Sequence, residues 1–150
     1  MCLQPYSWRF YPGLRTNMLD CLIIGDSIAV GTHQFRPECV AYAKSGITSL
    51  GWNKRYGNQD LSAESVIISL STNDWEKADT YGMLMNIRTK IKGKRVFWIE
   101  PNRESKFEAA QHVRRVADQF GDTVIVNTRW QPDKIHPSWA GYKSIAEKTK

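Results

Sequence analysis

LDCLIIGDSIAVG, residues 19–31, is the stretch that decides the fold. Leu19 to Ile24 is a nearly unbroken apolar run ended by Gly25, which reads as a buried strand. A short helix is expected from Ser27 to Phe35, and Pro37 stops it. A buried strand that passes through a Gly-Asp-Ser turn straight into a helix is the opening βα unit of an α/β protein.

Working outward, Glu38 to Ala43 reads as a second, weaker strand, and Thr48 to Leu61 mixes helix and loop signals. Ser65 to Leu70 (SVIISL) is a strand rich in β-branched residues. Leu84, Ile87 and Ile91 keep helical spacing, with Lys90 and Lys92 in the last turn and Gly93 just past it. Arg95 to Ile99 is a strand ended by Pro101. Phe107, Ala110, Val113, Ala117 and Phe120 line one face of a helix closed by Gly121. Thr123 to Val126 is a final strand, and Ser138 caps a last helix carrying Tyr142, Ile145 and Ala146. The order β-α-β-(α)-β-α-β-α-β-α predicts a three-layer α/β/α, flavodoxin-like fold. Its five-stranded parallel sheet would run in the order 2-1-3-4-5.

The chain has 150 residues, 41% hydrophobic and 24% charged, the balance of one globular domain. Its apolar stretches are far too short to cross a bilayer, so no membrane insertion is expected. Residues 1–17 (MCLQPYSWRFYPGLRTN) are aromatic and lack a clear period. They read either as an extension or upstream-start artefact before a domain spanning 18–150, or as a segment packed across that domain through Trp8, Phe10 and Tyr11. They also lack the apolar core and cleavage site of a secretory signal, which points to a cytoplasmic or virion-associated protein.

Cys2, Cys21 and Cys39 are an odd set without C-x-x-C spacing, which argues against a disulfide framework and against a cysteine zinc cage. Cys21 reads as a small core residue. His33, His112 and His136 show no ligand pairing, so no metal and no cofactor are expected. The formal net charge of +6 permits attraction to nucleic acid, teichoic acid or acidic polysaccharide without choosing among them. Lys90, Lys92, Lys94 and Arg95 read as a solvated helix end, and no nucleic-acid partner is expected. The sequence leaves the oligomeric state open.

In parallel α/β sheets ligands bind beyond the carboxyl ends of the strands, where the strand order reverses. Three polar motifs follow strands: Gly25-Asp26-Ser27, Ser71-Thr72-Asn73-Asp74 and Asp133-Lys134-Ile135-His136. The residue types suit acyl transfer. A serine hydroxyl needs a nearby base, an imidazole can take and return the proton, and a carboxylate can fix the imidazole's tautomer. The backbone N–H of Ser27, the Asn73 amide and a loop glycine N–H would supply donors to an oxyanion. Asp26 and Asp74 read as turn residues, and His33 and His112 as structural. Trp75 reads equally as a stacking platform at the site rim and as packing, while Trp139 is expected to pack.

IIGDSIAVG (23–31), AKSGITS (43–49), SLSTND (69–74) and DKIHPSWAGY (133–142) resemble the successive blocks of the SGNH (GDSL) hydrolase family, in its small bacterial and phage form. The resemblance implies Ser27 as nucleophile, His136 as base and Asp133 as its orienting acid. It further implies an oxyanion hole from the Ser27 and Gly46 backbone N–H groups plus the Asn73 amide. The third block departs at Ser71, where the family has glycine; a positive φ there would strain a serine. The function expected from residues and resemblance together is a serine esterase acting on short-chain acyl esters, such as O-acetyl groups of a cell-wall or surface carbohydrate. The competing expectation is a non-catalytic carbohydrate-binding or virion-associated module on the same fold.

Overall fold

The computed structural model describes residues 18–150, so the alternatives for residues 1–17, with Cys2, lie outside the described residues. The apolar run that opens the domain forms strand β1, Leu19–Gly25, and the turn after it starts helix α1, Ser27–Phe35. Then follow β2 (Val40–Ala43), α2 (Ser49–Tyr56), β3 (Ser62–Ser69), α3 (Thr80–Thr89), β4 (Lys92–Ile99), α4 (Phe107–Phe120), β5 (Thr123–Ile125) and α5 (Trp139–Lys148). The strands pair in parallel throughout, in the order β2-β1-β3-β4-β5, as expected.

Successive side chains of a strand point to opposite faces of a sheet, and that alternation divides the core in two. Leu22, Ile24, Val66, Ile68, Val96 and Trp98 pack with Trp52 of α2, Leu84 and Ile87 of α3, and Val113, Val116 and Ala117 of α4. Ile23, Ile67, Phe97, Ile99 and Ile125 face the other way, against Ile28 and Ala29 of α1 and Ile145 of α5. A sheet covered on both faces explains why its strands read as continuous apolar runs.

Two expectations are corrected here, while the mixed helix-and-loop reading after Thr48 holds. The mixed stretch after Thr48 contains a helix, capped by the Thr48 hydroxyl and anchored by a fully buried Trp52 whose indole N–H donates to the Tyr42 carbonyl at 2.8 Å. Lys92 and Gly93 belong to β4 instead of closing α3, because Ser62 and Ala63 of β3 pair with them. Lys94 and Arg95 are therefore strand residues too, and the Arg95 guanidinium donates to the Ser65 hydroxyl and the Lys150 carbonyl. Finally, Cys21 and Cys39 form a disulfide, with Cα atoms 4.8 Å apart. Leu22 pairs with Val40, so Cys21 in β1 and Cys39, just ahead of β2, lie side by side, a relation that cysteine spacing does not contain. Cys21, Glu38 and Cys39 group metal-ligand types among the described residues, but their two sulfurs are bonded to each other.

Candidate active site

β1 is flanked by β2 on one side and β3 on the other, so the strand order reverses at its carboxyl end. There Gly25 has a φ of +140°, and a Cβ on it would lie 1.8 Å from the Ser69 carbonyl oxygen. Only glycine lets β1 and β3 close at this point. Asp26 then caps α1. Its backbone N–H donates to the Ser69 carbonyl at 3.0 Å, and its Oδ1 accepts from the Ile28 N–H at 3.0 Å and the Ser69 hydroxyl at 2.9 Å. Asp26 is 0% exposed, and its Oδ2 has no partner. Burial pushes its carboxyl up to about 6, against the pull of the Ser69 hydroxyl and the helix N–H groups. The expected turn role for Asp26 is what the structure shows.

Ser27 is the first residue of α1, and its Oγ lies 3.0 Å from Nε2 of His136. His136 stands on the loop between β5 and α5. Its Nδ1 is 2.7 Å from Oδ2 of Asp133, while Oδ1 of Asp133 accepts from the backbone N–H groups of Ile135 and His136. With Nδ1–H donating to Asp133, Nε2 is left as the acceptor for the serine hydroxyl. The imidazole hydrogen bond first, then the two backbone N–H groups, hold the Asp133 carboxyl down at about 2. Lys134 between them takes a φ of +56°; its carbonyl accepts from the Ser105 hydroxyl and its ammonium lies 3.1 Å from Glu104.

The helices that carry these loops meet closely. A Cβ at Gly31 of α1 would fall 2.4 Å from the Tyr142 ring of α5, so the glycine of the first block receives the tyrosine of the fourth. Burial, then the Asp26 and Asp133 carboxylates, push the Tyr142 hydroxyl up to about 12.

The two other sequence-predicted donors stand on neighbouring loops. Gly46, with a φ of +80°, lies on the β2–α2 loop, which the Lys44 N–H ties to the Gly25 carbonyl at 3.0 Å. The Asn73 amide donates to the Ile47 carbonyl at 3.1 Å, one residue beyond Gly46, and an asparagine amide has a second N–H to offer. Asp74 does more than form a turn. It accepts from the Ser49 N–H at 2.7 Å and from the Thr80 hydroxyl at 2.8 Å, tying the Asn73 loop to the starts of α2 and α3. Two carboxylate oxygens reaching two helix starts cannot be told from a turn aspartate in sequence. Ser71 has a φ of +89°, as a glycine position would require; it is buried and its hydroxyl donates to the Ala109 carbonyl at 3.2 Å.

Trp75 is 67% exposed. Trp139 was expected to pack but is 69% exposed, touching Phe35 edge-on at 5.5 Å with the Lys143 ammonium 5.4 Å from its ring. It opens α5 where the helix faces solvent, so its apolar surface finds a partner on one edge only. His33 bonds the Cys39 carbonyl at 2.9 Å, a structural role as expected, and His112 is half-buried on α4.

No protein-family model and no curated protein matches this chain. Solved structures do. A Bacteroides fragilis protein assigned as an acylhydrolase aligns with a TM-score of 0.66 at 15% identity, over 87% of this chain and 84% of that one. The C-terminal catalytic domain of peptidoglycan O-acetyltransferase A from Streptococcus pneumoniae, carrying a methylsulfonyl adduct, aligns at 0.59 and 18% identity, over 87% and 89%. A two-domain esterase active on acetylated mannans aligns at 0.58 and 16% identity, over 87% of this chain and 47% of that one. The chain has the SGNH-hydrolase fold that its sequence blocks predict.

Proposed function

We propose that this protein is a serine esterase that hydrolyses short-chain acyl esters, O-acetyl groups of a carbohydrate among them, through an acyl-enzyme on Ser27. The observation that carries the reading is the continuous relay from the Ser27 hydroxyl through the His136 ring to the Asp133 carboxylate, with steps of 3.0 and 2.7 Å. Nε2 of His136 takes the hydroxyl proton as Oγ attacks the ester carbonyl, and the resulting imidazolium is stabilised by Asp133. Collapse of the tetrahedral intermediate breaks the bond to the alcohol, which leaves with the proton from Nε2. Water then attacks the acyl-enzyme by the same steps in mirror order and frees the carboxylic acid and Ser27. The Ser27 and Gly46 N–H groups and the Asn73 amide serve the developing oxyanion; one such donor is worth ~3 kcal/mol in comparable sites. The chemistry needs no cofactor.

The openness of the relay supports a small acyl group on a large alcohol: the side chains of His136 and Asp133 are 34% and 42% exposed, so little surface encloses a long chain. Activity of a similarly folded esterase on acetylated mannans supports a carbohydrate ester. The buried Cys21–Cys39 bond supports an oxidising setting, such as a virion surface, over the reducing cytosol.

The test is a fluorophosphonate probe on the wild type and on Ser27→Ala. The wild type alone should be labelled; equal labelling of both, or of neither, rejects the mechanism and returns the protein to a binding module. Acetyl esters of p-nitrophenol should also turn over faster than octanoyl esters, and the reverse order rejects the short-chain reading.

A further inference from the structure

A groove of about 610 Å³ runs between the β3–α3 loop and the β4–α4 loop. Its lining does not include Ser27, Asp133 or His136, but each wall adjoins a residue beside the proposed site. On one, Thr72 and Asp74 flank Asn73 in the chain; on the other, Glu104 and Ser105 hold Lys134, which stands between Asp133 and His136. Each wall also carries an exposed aromatic side chain, Trp75 at 67% and Phe107 at 50%. Aromatic faces set among hydrogen-bonding groups suit a sugar ring, which offers C–H bonds to the one and hydroxyls to the other. Thr72 lines the same groove, is 4% exposed, and has a hydroxyl without a partner.

The groove's charge opposes that of the whole molecule. The chain is +6, yet Asp74, Glu76, Glu104 and Glu108 face this space against Lys106 and the Lys134 ammonium paired with Glu104. A chain bearing phosphates or carboxylates would be repelled here, whatever the distant lysines do.

We infer that this groove holds the sugar chain carrying the scissile ester, and that the chain is a glycan without phosphate or carboxylate groups. The inference rests on the esterase reading for its reaction, and on the groove alone for its binding. Trp75 and Phe107 supply the stacking surfaces, and the carboxylates exclude acidic glycans. The basic character of the molecule as a whole then says nothing about its substrate.

Binding is measured first, on full-length Ser27→Ala protein, so that turnover plays no part. Tryptophan fluorescence is titrated with uncharged manno-, xylo- and gluco-oligosaccharides and with oligogalacturonate, at low salt. The uncharged panel should contain a ligand that binds at least about tenfold more tightly than oligogalacturonate, and adding Trp75→Ala or Phe107→Ala should weaken it about tenfold, a cost of ~1.4 kcal/mol. A Glu76→Gln, Glu104→Gln, Glu108→Gln variant should narrow the gap between charged and uncharged ligands. In the Ser27-containing protein, Trp75→Ala should lower kcat/KM on an acetylated form of the bound glycan about tenfold more than on p-nitrophenyl acetate, through KM. Equal or tighter binding of oligogalacturonate, no binding across the uncharged panel, or indifference of the best ligand to both aromatic substitutions overturns the inference. Glycan binding with this charge preference in a protein inert toward p-nitrophenyl acetate would instead reject the esterase reading and leave the groove assignment standing.

Discussion

Ser27 and His136 face each other across 3.0 Å, but the two ends of that contact are built from different material. On the serine side Gly25, Asp26 and Ser69 are buried, and the bonds that hold the turn join β1 to β3 across 43 positions of sequence. On the histidine side Asp133 is exposed, and its carboxylate closes a turn on residues two and three positions away. The same residue type is driven in opposite directions: Asp26 up to about 6 by burial, Asp133 down to about 2 by hydrogen bonds in the open. Tertiary packing fixes Ser27, while a self-contained turn presents His136, and Tyr142 against Gly31 brings the two together. If the relay is catalytic, this division should separate folding from chemistry, the exposed half tolerating changes that the buried half does not.

The sharpest way to break that contrast lies in the exposed half. Asp133→Asn should leave the circular dichroism and thermal transition close to wild type while lowering kcat by about 10⁴-fold, because the imidazole loses the partner that sets its tautomer. A large drop in thermal stability instead would make the turn part of the folding core. On the buried side the effect should reverse in kind. Gly25→Ala meets the Ser69 carbonyl and an unfavourable φ together, and should cost about 4 kcal/mol in urea unfolding or prevent folding altogether. Soluble protein of near-wild-type stability would show that β1 and β3 can part at this end.

The two aspartates then sharpen the comparison through pH. Asp26 has a raised carboxyl, so between about pH 4 and pH 6 the native state holds a proton that the unfolded chain has released. Native stability should therefore fall as pH rises through that window, by about 3 kcal/mol in all, and level off above it. Asn at position 26 keeps an acceptor for the Ile28 N–H, so Asp26→Asn should flatten this slope in urea titrations run at successive pH values; an unchanged slope rejects the assignment. The Asp133 contribution has the opposite sign and a lower window: it is present above about pH 4 and is lost as pH falls through about 2. The smallest effect is expected at Ser71. Glycine there relieves the positive φ but gives up the bond to Ala109, so Ser71→Gly should raise stability by only about 0.5 kcal/mol. Destabilisation beyond about 1 kcal/mol would mean that the hydrogen bond outweighs the strain.

The legible parts of the site are those whose geometry is local. DKIH contains its own turn, so the pairing of Asp133 with His136 can be read from a separation of three positions. The serine turn could be recognised as a type, but not the Ser69 bond and the depth that raise Asp26. Asp74, read as a turn residue, carries two tertiary tethers, and Trp139, read as packed, stands in solvent. The helix Ser49–Tyr56 was obscured because only one of its residues, Trp52, is a large fully buried apolar side chain, too few to set a period.

Alternation of apolar runs with helical spacing, and the polar turns at their ends, are properties of short segments; they carried the α/β/α class and, together with the family resemblance, the expected strand order and the residues of the relay. Which side chains meet across the sheet is a property of register and close approach between distant segments. Only the tertiary structure therefore joined Cys21 to Cys39, buried Asp26 while leaving Asp133 exposed, and lined with carboxylates a groove on a molecule whose net charge is positive.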